Sequence, residues 1–178
     1  MIKHLAWTIG GLSTITLASS PVLALQTTSI GPEGIDALRL HQPPYNLIGR
    51  KISIGQVEIG RPGQYGLDKA VSGRQITLAG VFLRDRPAKA NTNLDPHAQN
   101  VASVMISSDK AIRGVAPGAR LYSGAVGSLK TGGQPEECLS TQHVATQNSG
   151  DVRAINFSFG ETLERDPRTN ARLDGMLY

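Results

Sequence analysis

The stretch "DPHAQNVASVM", Asp95 to Met105, puts one histidine directly after a proline at the start of an apolar-periodic run. An imidazole there has two readings. It is a general base held on a rigid element, or an ordinary polar residue in the first turn of a helix. A base needs a nucleophile within hydrogen-bond reach. The lone cysteine, Cys138, is a weak candidate. The nearest histidine in sequence, His143, is five residues on and not the i+4 neighbour on a helix. Cys138 lies beside apolar helix-like positions and is expected to be a small buried core residue. The four histidines, His4, His41, His97 and His143, form no H-x-x-x-H pair and meet no cysteine cluster, so no metal is expected. Glycines 55, 60 and 63 miss the G-x-G-x-x-G spacing, and no G-x-x-x-x-G-K-[ST] occurs, so no nucleotide cofactor is expected either.

The elements that must position His97 alternate in type. "RKISIGQVEI" (50–59) alternates Ile52, Ile54 and Val57 and predicts a strand, and 74–83 predicts a second extended stretch. Residues 97–108 predict a helix. Ala98, Val101, Val104 and Met105 form its apolar stripe, Asp95 is its N-cap and Pro96 its first residue. "GVAPG" (114–118) is a turn and 119–127 a strand. Residues 135–150 form a helix from Pro135 to a closing Gly150, 152–160 a strand ended by glycine, and "RTNARLDGMLY" begins another helix. This order predicts an α/β fold, a mostly parallel sheet with helices on both faces. Asn156–Phe157–Ser158 matches a glycosylation sequon, but it falls in a strand expected to be buried.

The first 24 residues have a basic start at Lys3, an apolar middle, and Val22 and Ala24 in a small-x-small arrangement. They read as a signal peptide cleaved after Ala24, for a secreted or periplasmic protein. Gly10, Gly11, Pro21 and several Ser/Thr argue against a permanent membrane span, and no second long apolar run follows. Residues 25–49 read as a leader arm with a short helix near 34–40. The 178 residues carry a formal charge of +4 with no Lys/Arg run and only 4% aromatic residues, a composition that excludes a nucleic-acid reader.

Three segments taken in order, "HAQNVAS" (97–103), "GVAPGARLY" (114–122) and "INFSFG" (155–160), resemble the histidine, GVAP and N-x-S-x-G blocks of subtilisin-like serine peptidases. "RKISIGQVEIG" (50–60) is similar to that family's first sheet strand. The resemblance covers residues 50–178 and implies the N-terminal portion of a peptidase domain. It implies that His97 is general base and then general acid. It also implies that Ser158, Phe159 and Gly160 belong to a strand that pairs with an extended peptide or protein substrate. The family's acid follows its first strand, where Gln56 stands in this alignment. Glu58 lies two residues later on the same strand face and carries the charge that an amide lacks, so Glu58 rather than Gln56 is expected to be the acid, with a lost aspartate at position 56 as the alternative. No G-T-S or G-x-S-x-G occurs. The resemblance therefore implies a triad whose serine and oxyanion asparagine are missing, and a chain that is inactive alone. The alternative is a non-catalytic secreted peptide-binding protein on a degenerate form of the same scaffold.

Overall fold

The computed structural model describes residues 30–69, 75–127 and 133–159. The signal-peptide reading of 1–24, the helix expected in the last eleven residues, and Gly160 lie outside them. The elements are α1 (Ala37–His41), β1 (Ser53–Glu58), β2 (Leu78–Leu83), β3 (Arg86–Pro87), α2 (Pro96–Ile106), β4 (Arg120–Ala125), α3 (Gly133–Ala145), the short α4 (Gln147–Gly150) and β5 (Val152–Phe157). They build one sheet in the order β3-β2-β4-β1-β5. All neighbours are parallel except β3, which returns antiparallel on β2. The α/β fold expected from the alternation is the fold observed.

Two apolar clusters show that the helices cover opposite faces. Ala102 and Ile106 of α2 pack with Leu121, Ile54 and Leu78. Val144 of α3 packs with Val57, Val126, Tyr122 and Val152. Ile54 and Val57, like Leu121 and Tyr122, differ in parity along their strands and so face opposite sides. Glycine lets α3 approach closely: a Cβ on Gly55 would stand 2.6 Å from Val144, and one on Gly124 would stand 2.4 Å from the Ser140 hydroxyl. The connections β2–α2–β4 and β4–α3–β5 both step across the sheet in the same direction. With their helices on opposite faces, the two crossovers have opposite hand. One of them is left-handed, which only about 2% of such connections are.

Several expectations need correction. The buried stripe of α2 is Ala98, Ala102 and Ile106, whereas Val104 is 48% exposed. The two alanines and Ile106, spaced i, i+4 and i+8, form the face turned to the sheet, where Ala102 and Ile106 meet Leu121 of β4, and Val104 falls outside it. α3 ends at Ala145, because Asn148, Ser149 and Gly150 adopt positive φ and turn the chain toward β5. Cys138 is exposed, since the face of α3 turned to the sheet is that of Ser140 and Val144. β5 is the end strand of the described sheet, and Phe157 is 47% exposed, so the sequon lies at an edge and not in a buried strand. Residues 30–49, within the stretch read as a leader arm, pack against the rest of the chain. Ile30 and Ala37 are buried, and the Gly118 N–H donates to the Ile48 carbonyl at 2.7 Å. The His41 Nε2 bonds the Val115 carbonyl at 2.8 Å.

Candidate active site

The carboxyl ends of β1 and β5 meet the N-terminus of α2. In open α/β sheets this end of the strands is where ligands bind. Asp95 caps α2: its Oδ1 accepts from the His97 N–H at 2.9 Å, and Pro96 takes the first helical position. The cap and the proline leave His97 on the first turn with 56% of its side chain exposed.

Glu58 is fully buried at the end of β1. Its Oε2 stands 3.6 Å from the His97 Nε2, and its Oε1 accepts from the Ser158 N–H at 3.1 Å. The Ser158 carbonyl lies 2.8 Å from the same Nε2. A carbonyl can only accept, so Nε2 carries the proton and donates it. In a neutral ring with its proton on Nε2, Nδ1 is the acceptor. One residue just past β5, Ser158, thus touches both Glu58 at the end of β1 and His97 on α2, the first through its N–H and the second through its carbonyl.

Burial pushes the Glu58 carboxyl up from its ordinary value. The nearby His97 and the Ser158 N–H oppose that rise, and Asp95 adds to it. Among the described residues Oε2 has no hydrogen-bond partner, so its interaction with the imidazole is electrostatic at this separation.

Gln56 is also fully buried on the same strand face. Its Nε2 donates to the Ala98 carbonyl at 2.9 Å, which ties β1 to the first turn of α2. The structure therefore brings Glu58 to the histidine and gives Gln56 a holding contact. Ser158 follows β5 with its hydroxyl accepting from the Asn156 side chain at 2.8 Å. Phe159 packs at the margin of the α3-side core.

The residues that sequence reasoning missed lie between these. Arg61 and Asp68 form a solvent-excluded ion pair beside the strand end, and the Gly63 N–H donates to the Gln99 side chain at 3.1 Å. A Gly/Pro-rich loop with one arginine carries no periodic signal that marks such a pair. Among the described residues no group of His, Cys, Asp and Glu is placed to hold a metal, and no helix is long and apolar enough to cross a membrane. No protein-family model and no curated protein matches this chain.

Proposed function

We propose that this chain carries the acid–base half of a subtilisin-like serine endopeptidase, with His97 as base and Glu58 as the acid that orients it. The observation that supports this most is the buried Glu58 carboxylate facing a half-exposed imidazole at the carboxyl edge of a parallel sheet. A serine hydroxyl needs an imidazole to take its proton, and the imidazole needs a carboxylate on its other nitrogen to hold the tautomer and stabilise the imidazolium. In this structure Glu58 stands nearest Nε2, the nitrogen that faces the serine in such a triad, so the ring must turn about its Cβ–Cγ bond to bring Nδ1 to the acid and Nε2 to a nucleophile. The order of the histidine, GVAP and N-x-S-x-G blocks supports the same reading.

The chain acts outside the cytoplasm, by its signal-like start, on extended peptide segments. The 178 residues hold no G-T-S motif, and among the described residues no serine hydroxyl bonds His97. The isolated chain is therefore expected not to hydrolyse peptides or to take up a fluorophosphonate label.

The test joins this region to a subtilase C-terminal half that brings the nucleophile and oxyanion groups. Glu58→Gln should lower kcat by about 10⁴, the effect of replacing a triad acid by an amide. Gln56→Ala should cost less than about tenfold, since its contact is a single hydrogen bond. Equal, small effects would refute the assignment. Activity gained only in Gln56→Asp would move the acid back to position 56.

A second reading, a non-catalytic peptide-binding protein, draws on the edge position of β5 and its exposed Phe157. It predicts that the 178-residue chain binds extended peptides with an affinity that His97→Ala leaves unchanged. Loss of binding in that variant would count against it.

A further inference from the structure

We propose that Arg61 and Asp68 are positioning residues, a buried brace that sets the separation between Glu58 and His97. The inference rests on the acid–base reading above and goes beyond it. Arg61 lies three residues past Glu58, and its main chain is bonded to the segment that delivers the histidine. The Arg61 N–H donates to the Asn93 carbonyl at 2.8 Å, and the Asp95 N–H donates to the Arg61 carbonyl at 3.0 Å. Asp95 in turn caps α2 and holds the His97 N–H. The covalent path from the acid and the hydrogen-bonded path to the base therefore meet at one residue.

The side chain holds that residue in place. The Arg61 guanidinium forks onto both Asp68 oxygens at 2.7 and 2.8 Å, and also donates to the carbonyls of Lys89 and Pro62. Asp68 further accepts from the Gln64 and Asn91 N–H groups at 2.8 and 2.6 Å. Neither side chain has any solvent-accessible surface. A buried ion pair is rarely the most stabilising filling for such a space, because desolvation offsets much of its attraction. Its directional fork does fix three chain segments, 61–62, 68 and 89–91, in one register. The strand end is otherwise tightly constrained. The Val126 N–H donates to the Glu58 carbonyl at 2.8 Å, and a Cβ on Gly60 would lie 2.4 Å from the Asp95 Cβ. The carboxylate–imidazole separation of 3.6 Å is just beyond hydrogen-bond range. A shift of a few tenths of an ångström along this path decides whether the pair couples.

The experiment follows the His97 Nε2–H proton by NMR, its shift and its exchange with water, alongside urea unfolding of the 178-residue chain. Arg61→Met with Asp68→Leu removes the pair without stranding a charge. In a folded paired variant His97 is held less firmly, so its Nε2–H bond to the Ser158 carbonyl should open more often and exchange at least about tenfold faster. Joined to a nucleophile-bearing half, it should lose kcat with KM little changed. If the pair merely stabilises the loop, the unfolding midpoint moves while Nε2–H exchange in the folded chain stays as in the parent; that result overturns the inference. Asp68→Glu, which keeps both charges but displaces the fork, serves if the paired variant does not fold. It too must speed exchange, and unchanged exchange overturns the brace. Glu58→Gln is the separate control. If it leaves the Nε2–H resonance untouched, the acid–base reading fails. If it shifts the resonance and the brace variants do not, the brace alone fails.

Discussion

Two carboxylates ten residues apart, Glu58 and Asp68, are both sealed from solvent and are driven in opposite directions. The Arg61 hydrogen bonds hold the Asp68 carboxyl far below the usual aspartate range, with the Gln64 and Asn91 N–H groups assisting against burial. Glu58 has one N–H donor and an imidazole at 3.6 Å, and burial pushes its carboxyl up. Burial alone therefore does not set a carboxylate's character; the number of donors around it does. Asp68 is saturated and can only hold. Among the described residues Glu58 keeps one oxygen without a hydrogen-bond partner, facing the imidazole at 3.6 Å. A buried carboxylate with a raised pKa beside an imidazole is a candidate for chemistry, and that is what makes Glu58 the proposed acid.

The largest effect on folding should come from breaking the saturated site. Asp68→Asn strands a buried guanidinium charge and should cost about 3 kcal/mol in urea unfolding, the low end for one partner of a buried pair. A loss below about 1 kcal/mol, the scale of a surface pair, would show that the site is not sealed in solution. Next is Asp95→Ala, which removes the α2 cap and should cost about 1 kcal/mol. It should also disorder the His97 ring, visible as a loss of the Nε2–H signal.

The smallest effect should have the opposite sign. Glu58→Gln should raise stability at neutral pH, because it removes a carboxylate that burial disfavours. In the parent chain Glu58 binds its proton more tightly when folded than when unfolded. Stability should therefore fall as pH rises from the ordinary glutamate value of about 4.3 through the raised one. Glu58→Gln should abolish that part of the slope. The contribution of Asp68 runs the other way. It is complete above the ordinary aspartate value of about 3.9, and disappears only as pH falls through the depressed one. Unfolding free energy measured across pH in the two variants separates the contributions. Identical slopes in parent and Glu58→Gln would mean that Glu58 is solvated.

Local patterns were legible where their cause is local. The Asp95–Pro96 start of α2 was readable because cap and helix are adjacent in sequence, and the contact spans two residues. The shared face of Gln56 and Glu58 followed from the two-residue strand repeat. Val104 misled because an apolar residue on a helix is equally at home on an exposed face, and the alanine pair that makes the real contact looks unremarkable by hydrophobicity. Cys138 misled because the helical repeat does not say which face of α3 meets the sheet.

By itself the sequence determined the alternation of strands and helices, the parallel sheet that alternation requires, and the histidine on a capped first turn. All of these rest on hydrogen bonds and side-chain periods within a few residues. Only the tertiary structure decided that Glu58 and not Gln56 meets His97, that one crossover is left-handed, and that Arg61 is buried against Asp68. The physical reason is that these outcomes depend on how whole elements pack. The Ser158 N–H reaches Glu58 across 100 residues of chain, and the Gln56 amide reaches Ala98 across 42. No repeat in the sequence encodes those distances; the docking of α2 on the sheet and the pairing of β1 with β5 do.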